Sequence, residues 1–351
     1  MASDPVTRNL SMSRAIAEAT VQAMEDDPTI FVMGVGVDDA NGIFGTTKSA
    51  HDMFGDARVF DTPLSEPSLT GMGVGAAFMG MRPIMVHART DFLLITMDQI
   101  VNHAAKWSYM SGGALRVPFV IRSIVGRGWG QAAQHSQSFQ SLFAHIPGLQ
   151  VVMPATAGDA KGLLISSLRG DMPVIFIEHR WLHGIEGPVP EARYAIPIGS
   201  ARVERSGSDV TIVAISHMVV EARKAAELLA TQGISAEVID LRSIRPWDRD
   251  LVLSSVAKTG RLLVADTSWI SFGVSAEIVA SVVEEVFGKL KTSPRRIGLP
   301  PSPTPCAPEL ERAFYPDAQS IVASVLSMFA AKADLAADAP DGGEKPFAGH
   351  F

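Results

Sequence analysis

A chain of 351 residues with 47% hydrophobic content is long enough to bury two domains' worth of core, and its formal charge of −7 leaves no basic footprint for nucleic acid. A single cysteine, Cys306, excludes a disulfide framework, a thiolate iron–sulfur cluster and a cysteine-based zinc site, and it fits a reducing compartment. The start "MASDPVTRNLSMSRAIAEAT" lacks a basic segment followed by an apolar one, and no stretch is both long and apolar enough to span a bilayer, so a soluble, cytoplasmic protein is expected.

In chain order, "IFVMGVGV", "PIMVHA", "VPFVIRSIV", "LQVVMPA" and "PVIFIEH" are apolar runs of strand length, too uniform to have one wet face. Between them, "TMDQIVNHAAKWSYMSGG" sets Met97, Ile100, Val101, Ala104 and Ser108 on one face of a predicted helix that stops at Gly112. Thr156 followed by Asp159 resembles a capping box opening "AGDAKGLLISSLRG". The alternation predicts an α/β domain over residues 1–185, a parallel sheet with helices on both faces. Residues 186–205 are rich in Pro and Gly and are expected to be a linker. A second doubly wound α/β domain is expected over 206–330, with strands in "DVTIVAIS", "SAEVIDLRSI" and "RLLVADTS" and Gly233 ending the helix after the first. The polar tail, 331–351, is expected to be disordered.

The stretch "DTPLSEPSLTGMGVGAAFMGMRP" puts one acid, Glu66, ahead of a Gly- and Ala-rich segment. Ser65 is a plausible N-cap, and a carboxylate at a helix start gains from the dipole, which explains Glu66 without chemistry. Gly71, Gly73, Gly75 and Gly80 weigh against so plain an account, because each costs roughly 1 kcal/mol relative to Ala inside a helix. Such a segment lets another backbone or a flat ligand approach closely.

"DTPLSE", "GMGVGAAFMGMRPI", "DQIVNHAAKWSYMSGG", "AAQHSQSFQSLFAHIPGLQVVMP" and "DLRSIRPWD", in that order, resemble the beta subunits of thiamine-diphosphate-dependent 2-oxo acid dehydrogenases of the pyruvate and acetoin type. The resemblance runs from about residue 10 to 325 and implies a transketolase-type pyrimidine-binding domain followed by a C-terminal domain used in assembly. It implies that Glu66 bonds a pyrimidine nitrogen of thiamine diphosphate and helps remove the proton from the thiazolium carbon, so that a 2-oxo acid is decarboxylated or cleaved and its acyl group passed to an acceptor such as lipoamide. It also implies that His135 is the active-site histidine and that Phe92 and Leu64 belong to the cofactor-binding set. The remaining histidines carry no assigned role, and no metal ligand is assigned to this chain.

The family's Gly-Asp-Gly motif with a following Asn, which holds Mg²⁺ and the diphosphate, is missing; the nearest string, "RGDMP", runs into a strand. The resemblance therefore implies an alpha subunit carrying that motif, an α2β2 assembly with the cofactor across the interface, and a lipoyl acyltransferase as a further partner. A potassium site in the loop after "LLISSLRG" also comes with the family, but Gly170 and Met172 replace polar residues there. Val35, Gly36 and Val86 stand where the family has acids, and Arg89 stands three residues before Phe92 where a neutral residue is expected. That exchange of charge points either to a substrate with a second anionic group or to an ion pair with the alpha subunit. Two alternatives stay open on sequence: half of a split transketolase-like enzyme acting on another carbonyl donor, and a non-catalytic scaffold subunit.

Overall fold

The computed structural model describes residues 6–39, 42–128 and 130–330; the tail expected to be disordered lies outside them. Eight strands come from the first half: β1 (Thr7–Ser11), β2 (Ile30–Gly34), β3 (Val59–Asp61), β4 (Arg82–His87), β5 (Val120–Val125), β6 (Gln150–Val152), β7 (Val174–His179) and β8 (Glu186–Pro190). The second half adds β9 (Arg202–Arg205), β10 (Val210–Ala214), β11 (Ala236–Asp240), β12 (Ser243–Arg245), β13 (Leu262–Trp269) and β14 (Arg295–Leu299). They form a seven-stranded sheet ordered β12-β6-β7-β5-β4-β2-β3, a five-stranded sheet ordered β14-β13-β10-β11-β9, and a two-stranded β1-β8 ribbon. Within the larger sheet only β12 runs antiparallel; in the five-stranded sheet only β9 does.

The uniform strands are buried on both faces. Val32, Ile84 and Val120 pack into one cluster with the Met12–Asp26 and Ala157–Arg169 helices, while Met33, Met85 and Ile121 face the other way. The second of these clusters continues through Val213, Ile239 and Val264 of the five-stranded sheet, so one core joins the two sheets. β12, a strand from the second half, closes the edge of the first sheet against β6. Residues 186–205 hold β8 at one end and β9 at the other, each paired into a sheet.

Local structure departs from the expectations in three places. The segment after Asp98 breaks into a π-helical turn, Gln99–Ala104, and a short α-helix, Trp107–Met110. The π turn shifts the register, so Ile100 and Ala104 are buried while Ser108 lies half-buried off the stripe. Ser65 makes no side-chain capping bond; its φ of −152° and ψ of 50° aim the hydroxyl away from the first-turn amides. Gly80 lies outside the Glu66–Phe78 helix at φ +85°, where it ends the helix rather than weakening it. Thr156 does cap its helix, accepting from the Asp159 amide at 3.2 Å.

Candidate functional site

Parallel strands present their carboxyl ends along one edge of the larger sheet, and the segments leaving that edge carry the chemistry-bearing side chains. Glu66 follows β3, Arg89 and Phe92 follow β4, the Gly126–Gln137 stretch with His135 follows β5, and His179 and Arg180 close β7. The topology thus gathers residues that are up to about a hundred positions apart in the chain.

Glu66 is the first residue of its helix, half-buried, and among the described residues it makes no hydrogen bond or ion pair. The hydroxyls of Thr62 and Thr70, just before it and one turn after it, are buried with no hydrogen-bond partner. The glycines behind it are explained by packing within the chain: a side chain at Gly73 would run into the Phe119 ring, and one at Gly71 would press on Gln99. Of the three glycines within this helix only Gly75, in its second half, faces open space. Leu64, in the loop before the helix, is 79% exposed, and Met72, Ile95 and Tyr109 are likewise exposed.

Phe92 and His135 are brought together, their rings perpendicular with centroids 5.5 Å apart. Asp91 fastens the two segments, accepting from the Gln137 side chain at 2.8 Å. Burial raises the Asp91 pKa against the hydrogen bonds from Gln137 and the nearby His135. At the end of β4, His87 has burial alone to answer to and is pushed down to about 4, which keeps it neutral.

Arg89 does not point to solvent. It is 4% exposed, and its guanidinium donates to Gly126 O at 2.8 Å and to the Gln131 side-chain oxygen, both neutral acceptors. Arg180 Nη1 reaches that same Gln131 oxygen at 3.4 Å. Burial first, and Arg180 second, bring the Arg89 pKa down to about 10, with Asp91 and Tyr315 opposing. Of the three positions where acids were expected, Val86 is buried within β4, Val35 is exposed just past the paired strand β2, and Gly36 donates its amide to Asp61 at 2.6 Å. Asp91, Gln131 and Arg180 were not singled out from sequence; their partners lie on other strand ends, and the Asp91–Phe92 adjacency was the one local sign.

Two further buried groups need placing. Glu178 accepts from Arg122 at 2.7 Å and pairs with His183 at 2.9 Å, all three buried. Asp159, Glu204 and Asp240 bring carboxylate oxygens within 4.8 Å of one another, but Arg242 and Arg202 already bind Asp159 at 2.7 and 3.0 Å. With its surplus negative charge met by arginines, this cluster is a joint between the two halves rather than a metal site.

The family models for the transketolase pyrimidine-binding domain and the transketolase C-terminal domain match residues 8–184 and 199–321. The beta subunit of acetoin:2,6-dichlorophenolindophenol oxidoreductase from Cupriavidus necator is 45% identical over 329 residues, which is 91% of this chain and 97% of that one. A mitochondrial pyruvate dehydrogenase beta subunit from Arabidopsis thaliana is 44% identical, covering 90% of this chain and 88% of its own. Among solved structures, one described as a split-gene transketolase, inactive beta4 tetramer, superposes with a TM-score of 0.75 at 22% identity, over 92% of this chain and 99% of that one, and shows the fold alone.

Proposed function

From a chain that belongs to the beta subunits of the thiamine-diphosphate-dependent 2-oxo acid dehydrogenases, with transketolase-type pyrimidine-binding and C-terminal domains, we propose a specific division of labour. Glu66 is the proton-handling carboxyl group, Phe92 and Leu64 bound the pyrimidine end of the cofactor, and His135 faces the substrate. The observation that carries this is a half-buried carboxyl group at a helix head, with no hydrogen bond or ion pair of its own among the described residues. A polar group held partly out of water without a partner is costly, and a pyrimidine ring nitrogen would satisfy it.

When bound, thiamine diphosphate supplies the nucleophilic carbon and takes up the electrons released from the 2-oxo acid. This chain's part is to hold and return a proton at a Glu66 oxygen, to position the ring against Phe92, and to offer the His135 imidazole for proton transfer or for the substrate carboxylate. The substrate is a 2-oxo acid or an acyloin of the acetoin type, and the acceptor is lipoamide on an acyltransferase partner. The work is done in the cytoplasm, in keeping with one exposed, unpaired cysteine.

The diphosphate half of the site comes from an alpha subunit bearing Gly-Asp-Gly and Mg²⁺. Asp171, in the string taken as nearest to that motif, is engaged by Arg82 at 2.9 Å and Arg116 at 3.2 Å and is not free to take a metal. Exposed Leu64, Met72, Ile95 and Tyr109 supply apolar surface for that partner in an α2β2 complex. Potassium does not fit the loop after the Ala157–Arg169 helix, because the Leu168 and Gly170 carbonyls already accept from Arg82 at 3.2 and 2.6 Å. Calorimetry on the isolated chain tests the two-subunit arrangement: weak binding of thiamine diphosphate is expected, and tight Mg²⁺-dependent binding without a partner would overturn it.

A further inference from the structure

Buried guanidinium groups are normally paired, because an uncompensated charge held out of water is costly. Arg89 breaks this pattern. Among the described residues it forms no ion pair; its two hydrogen bonds end on a backbone carbonyl and a side-chain amide. The groups that face it do not neutralise it. Arg180 lies beside it and adds like charge, His179 is held neutral by burial, and the nearby carboxyl group, Asp91, opposes Arg180 but spends its hydrogen bonds on Gln137.

The key atom is the side-chain oxygen of Gln131. It accepts from Arg89 and lies 3.4 Å from Arg180 Nη1, so one neutral oxygen sits between two guanidinium groups. The Arg180 guanidinium lies over Gly128, where a side chain would have to push it aside. A carboxylate in place of the amide oxygen would match the planar fork of an arginine and neutralise a desolvated charge. The position is beside the reaction centre, since Arg89 is on the segment that carries Phe92 and Gln131 on the one that carries His135, and those two rings touch.

We infer that Arg89 and Arg180 bind the distal carboxylate of a 2-oxo dicarboxylic acid, which displaces the Gln131 side chain from between them. The inference rests on the functional assignment above and narrows it, from 2-oxo acids in general to those with an anionic far end.

The test uses the complex assembled with its alpha subunit and two five-carbon substrates, 2-oxoglutarate and 2-oxovalerate, which differ in the distal carboxylate. Wild type prefers 2-oxoglutarate in kcat/KM. Arg89→Met cuts that preference by about 10- to 100-fold, the value of a lost charge-assisted hydrogen bond. Gln131→Glu, which places a carboxylate of the chain's own between the guanidinium groups, also abolishes the preference and raises the melting temperature without ligand. Glutarate, which cannot react, raises the melting temperature of wild type and of neither variant. An equal loss for both substrates with a weakened complex would overturn the inference and make Arg89 the partner of an alpha-subunit carboxylate; an unchanged preference would overturn it too. A complex that binds no thiamine diphosphate would instead overturn the functional assignment, whereas turnover of 2-oxovalerate with no glutarate shift would overturn this inference alone.

Discussion

Two arginines lie buried in the same sheet, and they are treated in opposite ways. Arg122, in the middle of β5, is fully buried and has Glu178 on the next strand at 2.7 Å and the Thr46 hydroxyl at 2.8 Å. Arg89, just past the end of β4, is nearly as buried and has only neutral acceptors beside a second guanidinium. The first is a closed charge, neutralised by the chain's own Glu178 although its Nη1 has no hydrogen-bond partner among the described residues. The second is left open at the strand ends, the edge of a parallel sheet where ligands bind. A third solution appears at Asp240, where burial, and then Asp159, push the carboxyl pKa up to about 8, so that the group keeps its proton instead of finding a cation.

The contrast can be broken first at its strongest point. Glu178→Gln removes the anion and leaves Arg122 buried alone, which should cost about 3–5 kcal/mol in urea unfolding. Arg89→Met removes no ion pair and should cost about 1 kcal/mol, the value of the hydrogen bond to Gly126. Equal costs for the two substitutions would erase the distinction between a closed and an open charge.

The pH dependence sharpens the same point. Burial pushes the Glu178 carboxyl up, but Arg122 and His183 outweigh it and hold it at about 2. Its folded pKa lies below the unfolded value near 4.5, so its contribution is full above that pH and is lost as the pH falls toward 2. Wild type should lose stability over that window by up to about 1.4 kcal/mol per pH unit from this group, and Glu178→Gln should flatten the slope. Melting curves between pH 5 and pH 2.5 in steps of about half a unit check it.

Asp240 has the opposite sign and acts over a higher and wider pH window. Its folded pKa is raised from 3.8 to about 8, so the native state binds the extra proton and stability falls as the pH rises between those values. Asp240→Asn should therefore raise the melting temperature more at pH 8 than at pH 5. A larger gain at the acidic end would show that the group is ionised in the fold, paired with Arg202 or Arg242.

What could be seen in the sequence was whatever local pattern determines. The strands β2, β4, β5, β7, β10 and β13 are apolar over most of their length because both faces are covered, and period and composition expose them at once. The short or edge strands β1, β3, β8, β9, β12 and β14 carry Pro, Arg and Glu and take their structure from a partner strand, so nothing local announces them. Glu66, His135 and Phe92 came from motifs, and their surroundings came from the fold. The meeting of Arg89 with Gln131 and Arg180 joins segments after β4, β5 and β7, separated by 42 and 49 residues along the chain, and no spacing rule connects them. The π turn after Asp98 escaped for another reason: a single extra residue in one turn leaves an apolar stripe nearly unchanged while moving its last members off the buried face.

The account stands on Glu66 moving a proton. Proton exchange at the thiazolium carbon of bound thiamine diphosphate, followed by NMR in the assembled complex, reads that role without substrate, acceptor or turnover. Glu66→Gln keeps the shape and the helix start but cannot hold and return a proton, so exchange should slow by orders of magnitude while assembly and cofactor binding persist. Exchange at the wild-type rate in the Glu66→Gln complex would contradict the account and leave Glu66 as a carboxylate that serves only the start of its helix.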